Sequence, residues 1–234
     1  MADTFERVMV IVAHPDDAES WVGGTVAKLA REGKTISYVI VTNGDKGSAD
    51  RSMSPQALAR IRAEEQREAA AILGVRHVEF LGCPDVDVED TRALRLDITR
   101  ELRRFRPGLV ILQNPRRTYN MGASHRDHRI VAGVALDCVY PLACTRLVFP
   151  ELLPDYEPHR VREVYLTQWD DPQLVVDISA TIDLKAKAFA CHRSQIADPR
   201  AVAASVRERA AELGRKFGLT YAESFDRVVV EVGR

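Results

Sequence analysis

The chain has 234 residues, with 33 Lys and Arg against 34 Asp and Glu, for a formal net charge of −1. Hydrophobic residues make up 46% and charged residues 29%, an ordinary globular composition that excludes disorder, collagen and a disulfide scaffold. The near-neutral balance argues against a dedicated nucleic-acid binder, which carries a basic excess. No stretch reaches the roughly 18–20 apolar residues that span a membrane.

Strand and helix signals alternate from the start. Val8–Ala13 is a β-branched run that predicts a buried strand. Trp21–Arg31 repeats Val22, Val26, Leu29 and Ala30 at helical spacing, and Gly33 follows. Thr35–Val41 predicts a second strand, ending in the turn-like Thr42-Asn43-Gly44-Asp45. Ser54 as N-cap and Pro55 at the first helical position open a helix that runs to Leu73 and stops at Gly74. His77–Leu81 is the third strand. Asp90 or Thr91 caps a helix ending near Phe105, and Leu109–Gln113 is the fourth strand. The second half is less regular. It holds a helix from about Asp127 to Val139, a Pro-rich loop over Pro141–Pro158, and short strands near Val164–Thr167 and Leu174–Asp177. Helices over Ile182–His192 and Pro199–Phe217 precede a last strand near Arg227–Val232.

Strands separated by helices are βαβ units. The expected fold is therefore α/β, a mostly parallel sheet with helices on both faces. It should form a single domain over residues 1–234 with an irregular C-terminal part. The four cysteines, Cys83, Cys138, Cys144 and Cys191, include no C-x-x-C pair and are expected to be reduced. The N-terminus has no signal-peptide pattern, so the cytoplasm is the expected location.

Ligands of open α/β sheets bind beyond the carboxyl ends of the strands. The polar residues of this sequence concentrate in those loops. After the first strand comes His14-Pro15-Asp16-Asp17-Ala18-Glu19, and after the fourth, His125-Arg126-Asp127-His128. Imidazole and carboxylate are zinc ligands, and a catalytic zinc takes three protein ligands. His14, Asp17 and a third group from His125-x-Asp127-His128 could supply them, with Asp16 as general base. Plainer roles compete residue by residue. Asp16 or Asp17 could cap the following helix, Ser124-x-x-Asp127 resembles a capping box, and isolated histidines are usually structural. Among the others, His77 reads as structural, His159 as solvated and His192 as a helix-end cation. Gly23-Gly24-Thr25 fails the G-x-G-x-x-G spacing, and its glycines suit close packing instead.

With these motifs in place the sequence resembles the LmbE-like, or PIG-L-type, zinc-dependent N-deacetylases over nearly its whole length. The matching segments include Ala13–Asp17, Gly23–Thr25, Thr42–Gly47, Arg62-x-x-Glu65, Pro84-Asp85, His125–His128, His192–Gln195 and Ala222–Phe225. The resemblance implies a Rossmann-like fold and one Zn2+ ligated by His14, Asp17 and His128. It also implies Asp16 as general base, and His125 as stabiliser of the intermediate or proton donor. Asp127 would set the state of His125, and Arg62 and Asp85 would contact the sugar. The implied reaction is hydrolysis of an N-acetylglucosamine-type amide. An amidase on a thiol-sugar conjugate and a non-catalytic sugar-binding module are the alternatives.

Two further expectations concern surfaces. Arg126 adds a cation beside the cleft, consistent with an anionic substrate or a solvated loop. The apolar residues Leu147, Val148, Phe149, Leu152 and Leu153 suggest a buried contact, and the resemblance points to a homo-oligomer, a trimer or hexamer. Glu65, one turn after Arg62, is expected to orient its guanidinium.

Overall fold

The computed structural model describes residues 5–119, 121 and 124–230. Seven strands form one sheet in the order β3-β2-β1-β4-β5-β7-β6. They are β1 (Arg7–Val12), β2 (Thr35–Thr42), β3 (His77–Cys83), β4 (Leu109–Leu112), β5 (Glu163–Thr167), β6 (Leu174–Asp177) and β7 (Ala222–Val229). The first five run parallel, and β7 lies antiparallel between β5 and β6. The expected α/β architecture is thus observed.

Helices cover both faces of the sheet, which is why β1, β2 and β4 read as continuous apolar runs. In β1, Val8, Val10 and Val12 pack with α1 (Asp17–Arg31), α2 (Pro55–Leu73) and β2 residues such as Tyr38. Met9 and Ile11 point the other way, into a second cluster with α3 (Arg92–Phe105) and α4 (Arg126–Asp137). Ser54 caps α2 through a bond from Ala57 N at 3.2 Å, and Gly74 closes it in the left-handed region at φ 80°. Gly24 fulfils its packing role, since a Cβ there would stand 2.6 Å from the Ile178 side chain. The helices α5 (Ile182–Phe189) and α6 (Pro199–Lys216) finish the layer on that side.

Several details differ from expectation. The last strand begins at Ala222, five residues before Arg227. Its first half contains Glu223, which is buried because Gly24 N, Thr25 N and Lys185 Nζ all bond to it, at 2.9, 2.7 and 2.5 Å. That pairing removes the apolar alternation by which strands are recognised. The segment after α4, Cys138–Leu142, is kinked, with Tyr140 extended at φ −149° and ψ 126°. Arg103, fully buried on α3, gathers the segment beyond it. Its Nη2 donates to the carbonyls of Leu142, Thr145 and Val148 at 2.9–3.1 Å, and its Nε to that of Ala143 at 3.1 Å. The loop therefore folds onto its own core. Phe149 and Leu152 are buried within the chain, Val148 and Leu153 are partly buried, and Leu147 is 81% exposed.

All four cysteines are free. Among the described residues, no helix is long and apolar enough to cross a membrane.

Candidate active site

Chain direction reverses its progress across the sheet between β1 and β4, which are neighbours. Such a switch point opens a crevice beyond the strand ends. The loop after β1 delivers His14, Asp16 and Asp17 there. The loops after β3 and β4 deliver Asp85 and the His125–His128 segment.

Three side chains meet at the centre. His14 Nδ1 lies 3.3 Å from Asp17 Oδ2 and 3.2 Å from His128 Nε2, and His128 Nε2 lies 3.1 Å from Asp17 Oδ1. A tetrahedral ion with bonds of about 2.0–2.1 Å needs ligand–ligand edges of about 3.3 Å. The first and last of the three contacts run to different oxygens of Asp17, so the spacing suits a divalent metal once Asp17 turns one oxygen to both histidines. His14 also belongs to two wider groups with suitable spacing, one with His125 and His128 and one with Asp85 and Asp127. The second group faces the other ring nitrogen. His14 Nε2 lies 3.0 Å from Asp85 Oδ1 and 3.4 Å from Asp127 Oδ2. Carboxylates behind one nitrogen fix the ring and leave the other free for a metal.

The electrostatics follow from this crowding. Burial opposes charge on His14, but the carboxylates of Asp127, Asp17 and Asp85 outweigh it and lift its pKa to about 12. Burial likewise opposes charge on Asp17, yet His128 and His14 hold it well below the usual carboxylate range. Asp16 goes the opposite way. Burial first, and then the Asp17 charge, raise it to about 6, against the pull of Arg62, His192 and His14.

Asp16 precedes α1 at φ 92°, a left-handed conformation, and makes no side-chain cap bond to the helix. Its capping role is thereby excluded, and its side chain remains 24% exposed at the site. A non-glycine residue there stores of order 1–3 kcal/mol, held by its surroundings. Gln66 Oε1 accepts the Asp16 N–H at 2.9 Å, and Arg62 Nη2 donates to Asp16 Oδ2 at 3.1 Å. Arg62 also donates to Pro15 O at 2.6 Å and Gly44 O at 2.9 Å. Gly44, at φ 60°, permits that approach, because a Cβ would stand 2.4 Å from Arg62 Nη1.

Glu65 does not orient Arg62. It accepts from Ser194 N and Oγ, at 2.8 and 2.7 Å, across the turn after α5. Nor is His192 a helix-end cation. The chain turns inward after Phe189, and His192 Nε2 meets Glu19 Oε2 at 3.1 Å with both residues fully buried. Gln66 Nε2 donates to the other oxygen of Glu19 at 2.9 Å. Glu19, His192 and Gln66 thus form a polar chain ending on the backbone of Asp16, and sequence reading missed it. Beyond the site, His159 bonds through Nε2 to Pro107 O at 2.6 Å, so it is anchored where solvation was expected.

The α4 end is organised differently from expectation as well. Ser124 Oγ accepts from Thr118 N, and the cap of α4 is His125, whose Nδ1 accepts from Asp127 N at 3.3 Å. The Asp127 carboxylate accepts from Val86 N at 2.7 Å and faces His14, touching His125 only through its backbone. Arg126 Nη1 donates to Val86 O and Val88 O at 3.2 and 2.6 Å. Its guanidinium therefore ties down the loop carrying Asp85, because those carbonyls lie within reach of the first turn of α4. Burial, then the His14 and His128 charges, lower the pKa of His125.

Residues 9–139, more than half of the chain, match the family described as PIG-L, GlcNAc-PI de-N-acetylase. The chain belongs to the PIG-L family. It is 32% identical over 190 residues to the diacetylchitobiose deacetylase of Thermococcus kodakarensis, covering 81% of this chain and 70% of that protein. The solved N,N′-diacetylchitobiose deacetylase from Pyrococcus horikoshii superposes with a TM-score of 0.89 at 32% identity, over 97% of this chain and 85% of that one. GalB, the 4-carboxy-2-hydroxymuconate hydratase of Pseudomonas putida, has a TM-score of 0.80 at 22% identity, over 98% of each chain. That last likeness concerns the fold, which by itself does not carry an activity.

Proposed function

We propose that this PIG-L family protein is a zinc-dependent N-deacetylase that hydrolyses the acetamide of an N-acetylglucosamine-type sugar or conjugate. The observation that carries the reading is the His14–Asp17–His128 cluster, with contacts of 3.1–3.3 Å, and the strained, partly exposed Asp16 beside it. Those three residues are the proposed zinc ligands. When bound, zinc supplies Lewis acidity toward the amide carbonyl and the attacking water.

Asp16 takes the proton of the attacking water. Arg62 engages its Oδ2, which leaves Oδ1 for that transfer. His125 donates to the developing oxyanion. Its Nδ1 accepts the Asp127 N–H, so the neutral ring carries its proton on Nε2. A doubly protonated ring would forfeit that bond. The proton for the departing amine therefore comes from Asp16, which returns what it took. Asp127 steadies both histidines, His14 through its carboxylate and His125 through its amide. Arg62 and Asp85 border the sugar, with Arg62 acting on the reaction also through Asp16.

The chain is read as one catalytic domain over residues 1–234. Free cysteines suit a reducing cytoplasm, and the net charge of −1 suits a small-molecule substrate better than nucleic acid. Assembly into a homo-oligomer, trimer or hexamer, rests on the family resemblance. The deciding experiment is acetate release from N-acetylglucosamine and N,N′-diacetylchitobiose by zinc-loaded and chelated protein. Release by the loaded form alone is expected, and its absence from both sugars overturns the reading.

A further inference from the structure

Trp21 stands one helical turn after Asp17 on α1, so the two side chains share a face of that helix. Its indole is edge-on to the His128 ring, with centroids 6.2 Å apart and planes at 85°. The ring is thus beside one proposed metal ligand and on the same helix face as another. Trp169, two residues past the end of β5, packs its own ring against it at 5.4 Å. Lys185 Nζ donates to the Trp21 carbonyl at 3.3 Å. Trp21 also shares a small space of about 20 Å³ with Ser20, Lys185, Val206 and Glu223, room for one water molecule. None of His14, Asp17 and His128 lines that space, so the indole separates it from the metal cluster.

We propose that Trp21 sets the length of the acyl group the enzyme accepts, admitting acetyl and excluding longer chains. The proposal rests on the deacetylase reading and adds to it a specificity-determining residue. The carbonyl carbon of an amide carries its oxygen, its nitrogen and its acyl carbon in one plane, pointing three ways. In that reading the sugar lies by Arg62 and Asp85. Arg62 reaches the loops after β1 and β2, and Asp85 follows β3. In the sheet, β5 lies across β1 and β4 from those strands. With the sugar nitrogen toward β2 and β3, and the oxygen toward the metal cluster and His125, the acyl carbon points toward β5, where Trp21 and Trp169 stand. A methyl group ends short of the indole, and an added methylene runs into it. Trp169 backs the ring on the β5 side. Rejecting one extra methylene by shape is worth roughly 10–200-fold.

The test compares kcat/KM for glucosamine release from N-acetyl-, N-propionyl- and N-butyrylglucosamine, with zinc content measured for each protein. The wild-type enzyme is expected to lose roughly 10–200-fold at propionyl and more at butyryl. Trp21→Ala joins the small space to the reaction centre. It is expected to narrow the acetyl-to-butyryl ratio by about tenfold or more at full zinc content. Trp21→Phe, which keeps a smaller ring beside His128, should fall between the two. A general folding defect would slow all three sugars alike and leave the ratio where it was. The proposal is overturned by a ratio that Trp21→Ala does not change at full zinc content, or by a wild-type enzyme that cleaves the three sugars equally. Loss of zinc from both variants also overturns it and makes Trp21 a support of His128. Glucosamine release with an unchanged ratio removes this proposal alone, whereas no release from any of the three sugars removes the deacetylase reading with it.

Discussion

Glu19 and His192, 173 positions apart in the chain, meet at 3.1 Å with neither side chain exposed. Through Gln66 the same carboxylate reaches the backbone N–H of Asp16. Removing one member leaves the other without its buried hydrogen-bond partner, at a cost of about 1–3 kcal/mol. His192→Ala should lose stability on that scale in urea unfolding. Gln66→Ala should be gentler on the fold but lower kcat by roughly 10–100-fold with metal content intact, since it frees the strained Asp16. A Gln66→Ala enzyme with normal kcat would show that Asp16 needs no such support.

Asp16 and Asp17 are neighbours with opposed roles, and substitution should separate them. Asp16→Asn should keep its metal and lose roughly 10²–10⁴-fold in kcat. Asp17→Asn should fail to retain metal by elemental analysis. The reverse pattern would exchange the two assignments. The Asp16 pKa of about 6 in the metal-free site also sets a bound. A cation held next to it lowers that value further, so the acid limb of the kcat/KM profile should lie at or below pH 6.

Metal uptake should release protons. In the metal-free site His14 is held as an imidazolium, with its pKa raised to about 12, and a ligand imidazole must be neutral. Between pH 6 and 9, zinc binding should displace about one proton and tighten about tenfold per pH unit. Calorimetry in buffers of different ionisation enthalpy measures that number, and a count of zero would contradict the cluster. The same shift affects the chelated protein. Its folded pKa lies above the unfolded value of 6.5, so this contribution to stability is fully present below pH 6.5 and is lost as pH rises toward 12. Chelated protein should accordingly melt lower at pH 9 than at pH 7.

Arg62→Ala distinguishes two ways of acting. The guanidinium ties Pro15 O and Gly44 O to Asp16. If positioning dominates, kcat falls roughly 10²-fold with the displaced base. A rise in KM with kcat unchanged would instead make Arg62 a plain ground-state sugar contact. The first outcome is expected, because the buried side chain has these partners already in hand.

What could be read from sequence was whatever has a local signature. The β-branched runs of β1, β2 and β4, the Ser54-Pro55 start of α2 and the Gly74 stop all appear where expected. The His14–Asp17 motif was legible because it sits directly after β1, and the His125–His128 motif because it sets two histidines within four residues. Partnerships were not. Nothing in the spacing of Glu65 indicates Ser194, and nothing near Glu19 points to His192. Buried polar pairs are defined by the fold, and they blur the hydrophobic pattern, as Glu223 does at the start of β7. Nothing in the sequence around Arg126 indicates Val86 and Val88, whose carbonyls its partly exposed side chain meets on another loop.

The adjacency of β1 and β4 has an engineering consequence. His14 and His128 hang from the two innermost strands, registered Ile11 to Leu112 and flanked on both sides by further strands. The loop that carries His14 thus leaves the sheet between strands paired on both sides. A change confined to an outer strand such as β3 or β6 should therefore leave the spacing of His14 and His128 intact.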